Sequence, residues 1–296
     1  MGVALSFAAM FCFAANILFT RYALARMPLD AGFFVVLAVN IAFPALLFAL
    51  EFGLRAAPWA WSWKGAALFS LSGIIGTYIG RRMLFDAVRL LGPARASVFH
   101  STAPIFALVG AWLIAGERLG LAELAIMVVV MAGLLFTQPR ATYTSKHPDA
   151  TALRSGMLAG IAAVAGFGMG NVVRGIGVRG WDEPVLGAVL ASVTALLCQV
   201  ATTRNWSRIG AQLRAADRTA YWLYIACGVS TSFGAIFLAI AMKYMEIALA
   251  VLVVHSTPLV IFPVSVFLLR NREELTGRTV LGALLVLAGI CFLALR

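Results

Sequence analysis

Two short segments of this apolar chain, "SVFHSTAPIF" and "LVVHSTPLVIF", carry the same polar residues. They place His100 beside Ser101 and His255 beside Ser256. An imidazole can donate and accept hydrogen bonds and can titrate near neutral pH, and a hydroxyl group can also donate and accept. These four side chains are therefore candidates for contact with a polar ligand.

A proline follows each histidine within about one helical turn, at Pro104 and Pro258. Proline removes a backbone hydrogen bond, so a kink is predicted at both sites, where neighbouring Ser and Thr hydroxyls can bond to the freed carbonyl groups. The hydroxyl groups thus have a structural alternative to ligand binding. A kink needs no imidazole, so for the histidines both interpretations, helix packing and cavity lining, stay open.

The composition indicates that these polar groups lie in a membrane. Hydrophobic residues make up 62% of the chain and charged residues 12%, which excludes a soluble globular domain of this length. Apolar runs of about 17–25 residues can cross a bilayer as helices, and the alternation expected of barrel strands is not found. We predict an all-α polytopic membrane protein. The ten predicted transmembrane helices lie near 2–20, 32–54, 65–88, 93–115, 119–137, 155–175, 184–203, 219–242, 246–269 and 277–295.

The chain repeats itself after about 155 residues. Asn16 in "AAN" matches Asn171 in "MGN", "AVRLLGPARA" matches "AMKYMEIALA", and "MAGLLF" matches "LAGICF". We therefore predict a first five-helix repeat over 1–137, a connecting loop over 138–154 and a second five-helix repeat over 155–296. Because five is odd, the two repeats cross the membrane in opposite directions, an arrangement that is typical of secondary transporters with a substrate site between the repeats.

Asn16 and Asn171 form a third matched polar pair. Each lies past the middle of the leading helix of its repeat, among small residues. An amide in such surroundings can bond across a close helix contact or can line a central cavity, and both interpretations stay open.

The third predicted helix carries two arginines that the second repeat lacks. Its segment "GTYIGRRMLFDAV" contains Tyr78, Arg81, Arg82 and Asp86. Tyr78 and Arg82 are four residues apart and share a helix face, and Arg82 is predicted to form an ion pair with Asp86, four residues further on. Arg81 has no obvious local partner. It either extends to the membrane surface or points into the cavity as a fork for a carboxylate or phosphate.

Several motifs resemble one family over essentially the whole chain. "FAANILFTRYAL", "LGPARAS", "TAPIFALVGAWLIAGERLGLAE" and "MAGLLF" occur in the order found in EamA-type permeases of the drug/metabolite transporter superfamily. The segment from Pro104 to Leu119 is the most specific, and its second copy has "NREEL" in place of "GERL". The resemblance implies a ten-helix inner-membrane carrier for small metabolites. It also implies a central cavity lined mainly by the third, fourth, eighth and ninth helices.

These features predict a secondary transporter that exports a small metabolite, such as an amino acid or an organic anion, by alternating access. Every Asp and Glu lies in a connection or at a helix end, which disfavours an organic-cation efflux carrier; that function and a non-transporting sensor or scaffold remain the alternatives. No nucleophile lies near the histidines, so an intramembrane enzyme is disfavoured. The candidate substrate contacts are Asn16, Tyr78, Arg81, His100, Ser101, Asn171, His255 and Ser256.

The expected partners are a small-molecule substrate and the lipid bilayer. The net charge of +11 arises from basic residues that flank the apolar runs, so no nucleic-acid partner is expected, and no cofactor or metal site is predicted. A single chain is expected to suffice, as a multi-pass protein of the cell inner membrane. Lys and Arg are about twice as frequent in the odd-numbered connections, which places both termini outside. The resemblance implies both inside, and the two orientations stay open.

Overall fold

A computed structural model describes residues 1–55, 59–137, 150–267 and 276–294. Within these ranges the chain is helical and contains no strand. The first repeat comprises α1 (Gly2–Leu24), α2 (Leu29–Leu54), α3 (Trp63–Ser72), a π-helical segment (Gly73–Gly80), α4 (Arg81–Leu91), α5 (Pro93–Ser101), α6 (Ala103–Ile114) and α7 (Leu121–Thr137). The second comprises α8 (Ala150–Gly180), α9 (Pro184–Thr202), α10 (Trp206–Ala215), α11 (Arg218–Tyr244), α12 (Ile247–His255), α13 (Pro258–Phe267) and α14 (Gly277–Ala294).

Each of the ten predicted membrane spans corresponds to a helix or to consecutive helices. Six helical stretches are long and apolar enough to cross a bilayer by themselves, and shorter apolar helices correspond to the fifth, ninth and tenth spans. The third span runs through α3, the π-helical segment and α4 without a break. The additional helix, α10, is short and lies between the seventh and eighth spans. The predicted all-α polytopic membrane fold is confirmed.

The fourth and ninth spans break where kinks are predicted. α5 ends at Ser101 and α6 begins at Ala103, while α12 ends at His255 and α13 begins at Pro258. The hydroxyl of Thr102 donates to the carbonyl of Phe99 at 2.7 Å. Ser and Thr hydroxyls therefore satisfy carbonyl groups beside the break, as the predicted structural role requires.

The packing of the helices repeats when the two halves are exchanged. α1 packs along α11, and its counterpart α8 packs along α3, the π-helical segment and α4; likewise α6 packs on α8, and α12 packs on α1. Three contacts join equivalent spans to each other: α2 with α9, α6 with α12, and α7 with α14. This exchange is what a pseudo-twofold axis between inverted halves requires.

Small residues allow the halves to approach closely. A Cβ added to Gly133 of α7 would lie 2.7 Å from the carbonyl oxygen of Gly282 in α14. One added to Gly170 of α8 would lie 2.6 Å from Cα of Gly76 in the π-helical segment. Glycines at these four positions therefore bring the helix backbones into direct contact, which is a common way of packing membrane helices.

Candidate functional site

A cavity of about 590 Å³ lies between the two halves. Its walls come from both halves: α1, α2, the third span, α5, α8, α9, α11 and α12. Among the described residues, α7 and α14 contribute none to the lining. More helices therefore form the cavity than the resemblance implies, because α1, α2, α8 and α9 line it together with the four expected spans.

Five of the eight candidate substrate contacts line this cavity. They come from both halves and include two of the three matched pairs, the histidines and the asparagines. The five are Asn16, Arg81, His100, Asn171 and His255.

Tyr78 is directed away from the cavity, towards α9. It is buried, and its hydroxyl donates to Oγ1 of Thr202 at 2.7 Å. Its neighbour Thr77 lines the cavity together with Arg81. The π-helical segment explains the difference, because its turns are wider and are closed by hydrogen bonds from residue i to residue i+5. Residues four apart, such as Thr77 and Arg81, then lie close together around the helix axis. Residues three apart, such as Tyr78 and Arg81, lie further apart around it.

Ser101 and Ser256 are buried and take the structural role that their proximity to proline predicts. Ser101 Oγ donates to the carbonyl of Ser97 at 3.2 Å, and Ser256 Oγ donates to the carbonyl of Leu252 at 3.0 Å. Neither serine is among the described lining residues of the cavity. The matched pairs therefore divide: the imidazoles face the cavity, whereas the hydroxyls stabilise their own helices.

The two histidines meet across the pseudo-twofold axis. The ring centroids of His100 and His255 lie 5.2 Å apart, with the ring planes at 45°. His255 Nδ1 lies 2.9 Å from the carbonyl oxygen of Val251, and because a carbonyl only accepts, Nδ1 carries the proton and Nε2 remains available. His100 Nδ1 is buried without a hydrogen-bond partner among the described residues, and its ring lies edge-on to Phe167 at 5.1 Å.

Arg81 reaches the cavity beside an aromatic ring. Its guanidinium carbon lies 5.0 Å from the ring centroid of Phe33, and the side chain is half-buried. Within the described part of the chain, it forms no ion pair and no hydrogen bond. A cation held only by an aromatic face retains its capacity to bind an anion.

The predicted ion pair between Arg82 and Asp86 is not formed. Arg82 is exposed, and the carboxylate of Asp86 instead lies 3.8 Å from Nη1 of Arg89. Arg89 also binds Asp30 at the start of α2 at 2.8 Å. The physical reason is that Arg82 and Arg89 compete for the carboxylate of Asp86. The exposed Arg89 bridges the carboxylates of Asp86 and Asp30 at the end of the third span, whereas Arg82 faces outwards.

The sequence analysis missed two arginines of the cavity lining, Arg21 and Arg174. The predicted sixth span ends near residue 175, where an arginine resembles a connection residue, but α8 continues to Gly180 and Arg174 lines the cavity. Its Nη1 donates to Oδ1 of Asn171 at 3.3 Å. The spacing of three residues between this amide and the arginine was the available signal.

Neutral polar groups were also missed at the cavity wall. The carboxamide of Asn40 lies 2.9 Å from the hydroxyl of Thr231 and 3.2 Å from that of Ser232. Thr20 donates to Asn16 Oδ1 at 3.5 Å. The contacts of Asn40 join α2 to α11, and the hydrogen bond of Thr20 lies within α1. Most of the neutral polar side chains of the lining are therefore occupied by internal hydrogen bonds.

Among the described lining residues, only cations carry charge. They are Arg21, Arg81 and Arg174, and none of these lining residues is Asp or Glu. No group of at least three potential metal ligands occurs in the described chain. The cavity therefore has the electrostatic character of an anion site.

Ion pairs between the halves cover one end of the cavity, the terminal end, which is where α1 begins and α14 ends. Arg179 of α8 binds Glu117 at 2.7 Å, and Arg55 binds Glu183. Glu117 and Glu183 are almost fully buried, with side chains 7% and 8% exposed. Hydrogen bonds to Glu183 and to Glu51 raise the pKa of Arg55 above its usual value.

The other end of the cavity has exposed walls. Arg21 and Leu24 line the cavity there and are exposed at the surface of the bundle. At the terminal end Trp181 is buried, and its Nε1 donates to the carbonyl of Ala60 at 3.1 Å. The cavity therefore opens at the end opposite the termini.

The chain is an internally duplicated membrane protein. Its fold has repeat symmetry, and its apolar helix bundle encloses a polar cavity. The EamA-like transporter family matches the chain in two segments, 1–138 and 154–295. The chain belongs to the EamA-like transporter family, as the motifs predict. It is a multi-pass membrane transporter and not an enzyme.

A solved structure supports the fold. A chain described only as "Crystal structure of protein" is 18% identical, with a TM-score of 0.73, and the alignment covers 99% of this chain and 96% of that one. At this identity the similarity concerns the fold alone. No match was found among curated proteins.

Proposed function

We propose that this transporter is a secondary carrier that exports a small carboxylate-bearing metabolite, such as an amino acid or an organic anion, across the inner membrane by alternating access. One observation carries the proposal. The cavity between the halves presents Arg81 without an acceptor among the described residues, and no described lining residue is acidic.

The energetic argument rests on desolvation. Holding a guanidinium in a cavity within the membrane is costly unless an opposite charge or hydrogen-bond acceptors compensate it. Among the described residues Arg81 has no ion pair and no hydrogen-bond acceptor, and its guanidinium lies against the ring of Phe33. A substrate carboxylate accepts two parallel hydrogen bonds from such a fork, which supplies both charge and geometry.

The histidines supply further polar contacts. Nε2 of His255 and Nδ1 of His100 have no hydrogen-bond partner among the described residues, and both rings line the same cavity as Arg81. An amino acid or hydroxy acid carries the donors and acceptors that neutral imidazoles bind. We place the polar end of the substrate between Arg81 and the histidine pair, in the cavity that Asn16 and Asn171 also line.

Alternating access is supported by the exchange symmetry of the packing. Two inverted halves with equivalent contacts can adopt two conformations that open the central site to opposite sides. The present conformation has ion pairs between the halves at the terminal end and exposed walls at the other. A single chain encloses the cavity, so the proposed carrier works as a monomer in the bilayer with its small-molecule substrate. It needs no cofactor, metal or nucleic acid.

Flux measurements in proteoliposomes test this proposal. We expect the purified protein to exchange amino acids or small organic anions, and Arg81→Ala to abolish that exchange. Arg82→Ala is the matched control, because Arg82 is adjacent and exposed; it should transport normally and both variants should melt like the unmodified protein. Transport of lipophilic cations alone, or no flux with any solute, would favour the alternatives of a cation carrier or a sensor.

A further inference from the structure

The arginine in the third span and the arginine in α8 reach the cavity at different depths. The third span and α8 run antiparallel in direct contact: a Cβ on Gly166 would lie 3.0 Å from Cα of Gly80, and one on Gly76 would lie 3.3 Å from Cα of Gly170. Moving along α8 from Gly166 to Gly170 therefore corresponds to moving back along the third span from Gly80 to Gly76.

This register separates the backbone positions of the two arginines along the cavity. Arg81 follows Gly80 and is therefore level with Gly166, whereas Arg174 lies eight residues further along α8, at about 12 Å for a rise of 1.5 Å per residue. His100 contacts Phe167 and so belongs to the level of Arg81. The cavity thus has one polar level with Arg81 and the histidines, and a second level with Arg174 and Asn171.

Arg174 has unused hydrogen-bonding capacity at its level. Within the described residues its one hydrogen bond goes to Asn171 Oδ1, at 3.3 Å, whereas a guanidinium has five N–H donors. Its side chain is half-buried, and it faces a lining without Asp or Glu among the described residues. A monovalent anion at Arg81 leaves this second charge uncompensated.

We propose that the site binds a linear dianion, a dicarboxylate or a dicarboxylic amino acid, with one carboxylate at Arg81 and the histidines and the other at Arg174. The inference rests on the proposed carrier function and narrows its substrate class. Two arginines at separate depths match two separated carboxylates, and each arginine can hold one by a bidentate contact. Asn171 orients the guanidinium of Arg174 towards the second carboxylate.

Calorimetry on the unmodified protein tests the substrate class without any variant. Succinate, glutarate and adipate are compared with their monomethyl esters, which have similar length and one negative charge. We expect the best dicarboxylate to bind at least about tenfold more tightly than its ester, which corresponds to about 1.4 kcal/mol. Equal affinities across the series would overturn the proposal.

Two variants locate the carboxylates. Arg174→Gln should reduce dicarboxylate affinity to that of the monoester and leave monoester affinity within about twofold, whereas Arg81→Gln should weaken both ligands. Melting temperatures without ligand identify a folding defect, and the comparison of ligands on the unmodified protein stands even if a variant fails to fold.

The outcomes separate this inference from the proposed function. Suppose that monoesters bind and are transported in a manner that depends on Arg81, while the second carboxylate adds no affinity. The proposed dianionic substrate is then wrong, and the proposed function as a carboxylate carrier is retained. If neither type of carboxylate binds and cations do, both proposals are wrong.

Discussion

Glu117 of the first half and Arg179 of the second half form an ion pair of 2.7 Å at the terminal end of the bundle. The same carboxylate accepts a hydrogen bond from the backbone N–H of Ile247, at the beginning of α12, at 2.9 Å. One buried side chain thus joins the end of the fourth span to two elements of the other half. Under the proposed alternating access, these contacts must break when the terminal end opens.

We predict that Glu117→Gln opens the terminal end more often. Neutralising the carboxylate leaves Arg179 without its counter-charge, which costs on the order of 1–3 kcal/mol and shifts the equilibrium by roughly 5- to 150-fold. The measurement is thiol labelling of Ala188→Cys, which lines the cavity, in a background where the native cysteines are replaced. Labelling by a reagent supplied from the terminal side should rise several-fold.

Lys243→Gln provides the matched control for this experiment. Lys243 pairs with Asp182 at the same end of the bundle, but both residues belong to the second half and the carboxylate is exposed. Its loss should leave labelling unchanged. Equal labelling of the Glu117 variant and the control would show that the ion pair does not hold the halves together.

The second prediction concerns His100. His100→Phe preserves the aromatic edge contact with Phe167 and removes both ring nitrogens, so transport should fall by about tenfold or more while the melting temperature changes little. Ser101→Ala is the adjacent control, because Ser101 Oγ bonds to the carbonyl of Ser97 away from the cavity lining. Normal flux in the His100 variant would assign the imidazole to helix packing.

The membrane spans could be predicted from sequence because the bilayer imposes a length and a composition on every span. The repeat was visible for a related reason: equivalent helices form equivalent contacts, so matched residues such as Asn16 and Asn171 recur at a fixed offset. Both asparagines do line the cavity. Constraints of this kind act on each helix separately and can be recognised one segment at a time.

The direction in which a side chain points about its helix axis could not be predicted equally well. Tyr78 faces α9 because the third span contains a π-helical segment, and a regular α-helical spacing places it differently. Arg174 was missed because its helix extends beyond the apolar run. Asp86 binds Arg89, and the choice between two nearby arginines depends on Asp30, which is distant in sequence. These features arise from tertiary packing.

The third prediction tests the contact between the fifth and tenth spans. Gly133→Ala should destabilise the protein by about 1–3 kcal/mol, because the added methyl group would lie 2.7 Å from the backbone oxygen of Gly282. Gly53→Ala, at the exposed end of α2 with no atom within 4 Å of the added Cβ, should be neutral or slightly stabilising. Thermal unfolding in detergent measures both, and equal melting temperatures would contradict close packing of α7 on α14.

The last prediction concerns Asp217, the N-cap residue of α11. Its Oδ1 accepts a hydrogen bond from the backbone N–H of Ala220 at 2.8 Å, and Oδ2 pairs with Arg26 of the first half at 2.5 Å. The backbone hydrogen bond, and to a lesser extent Arg26, lower the pKa of Asp217. A carboxyl group with a lowered pKa stabilises the fold above its unfolded pKa of about 3.9, and that stabilisation is lost as the pH falls through the folded value.

Asp217→Asn should therefore melt at a lower temperature than the unmodified protein at pH 7, and the difference should shrink as the pH is lowered below about 4. Asparagine is also a good N-cap, so the difference in melting temperature at pH 7 reports the loss of the charge and not the loss of the cap. Arg26→Gln is the control that removes only the ion pair, and it should retain part of the pH dependence because the hydrogen bond from Ala220 persists. Melting curves from pH 7 down to about pH 3 measure the effect, and a difference independent of pH would exclude the carboxylate as its source.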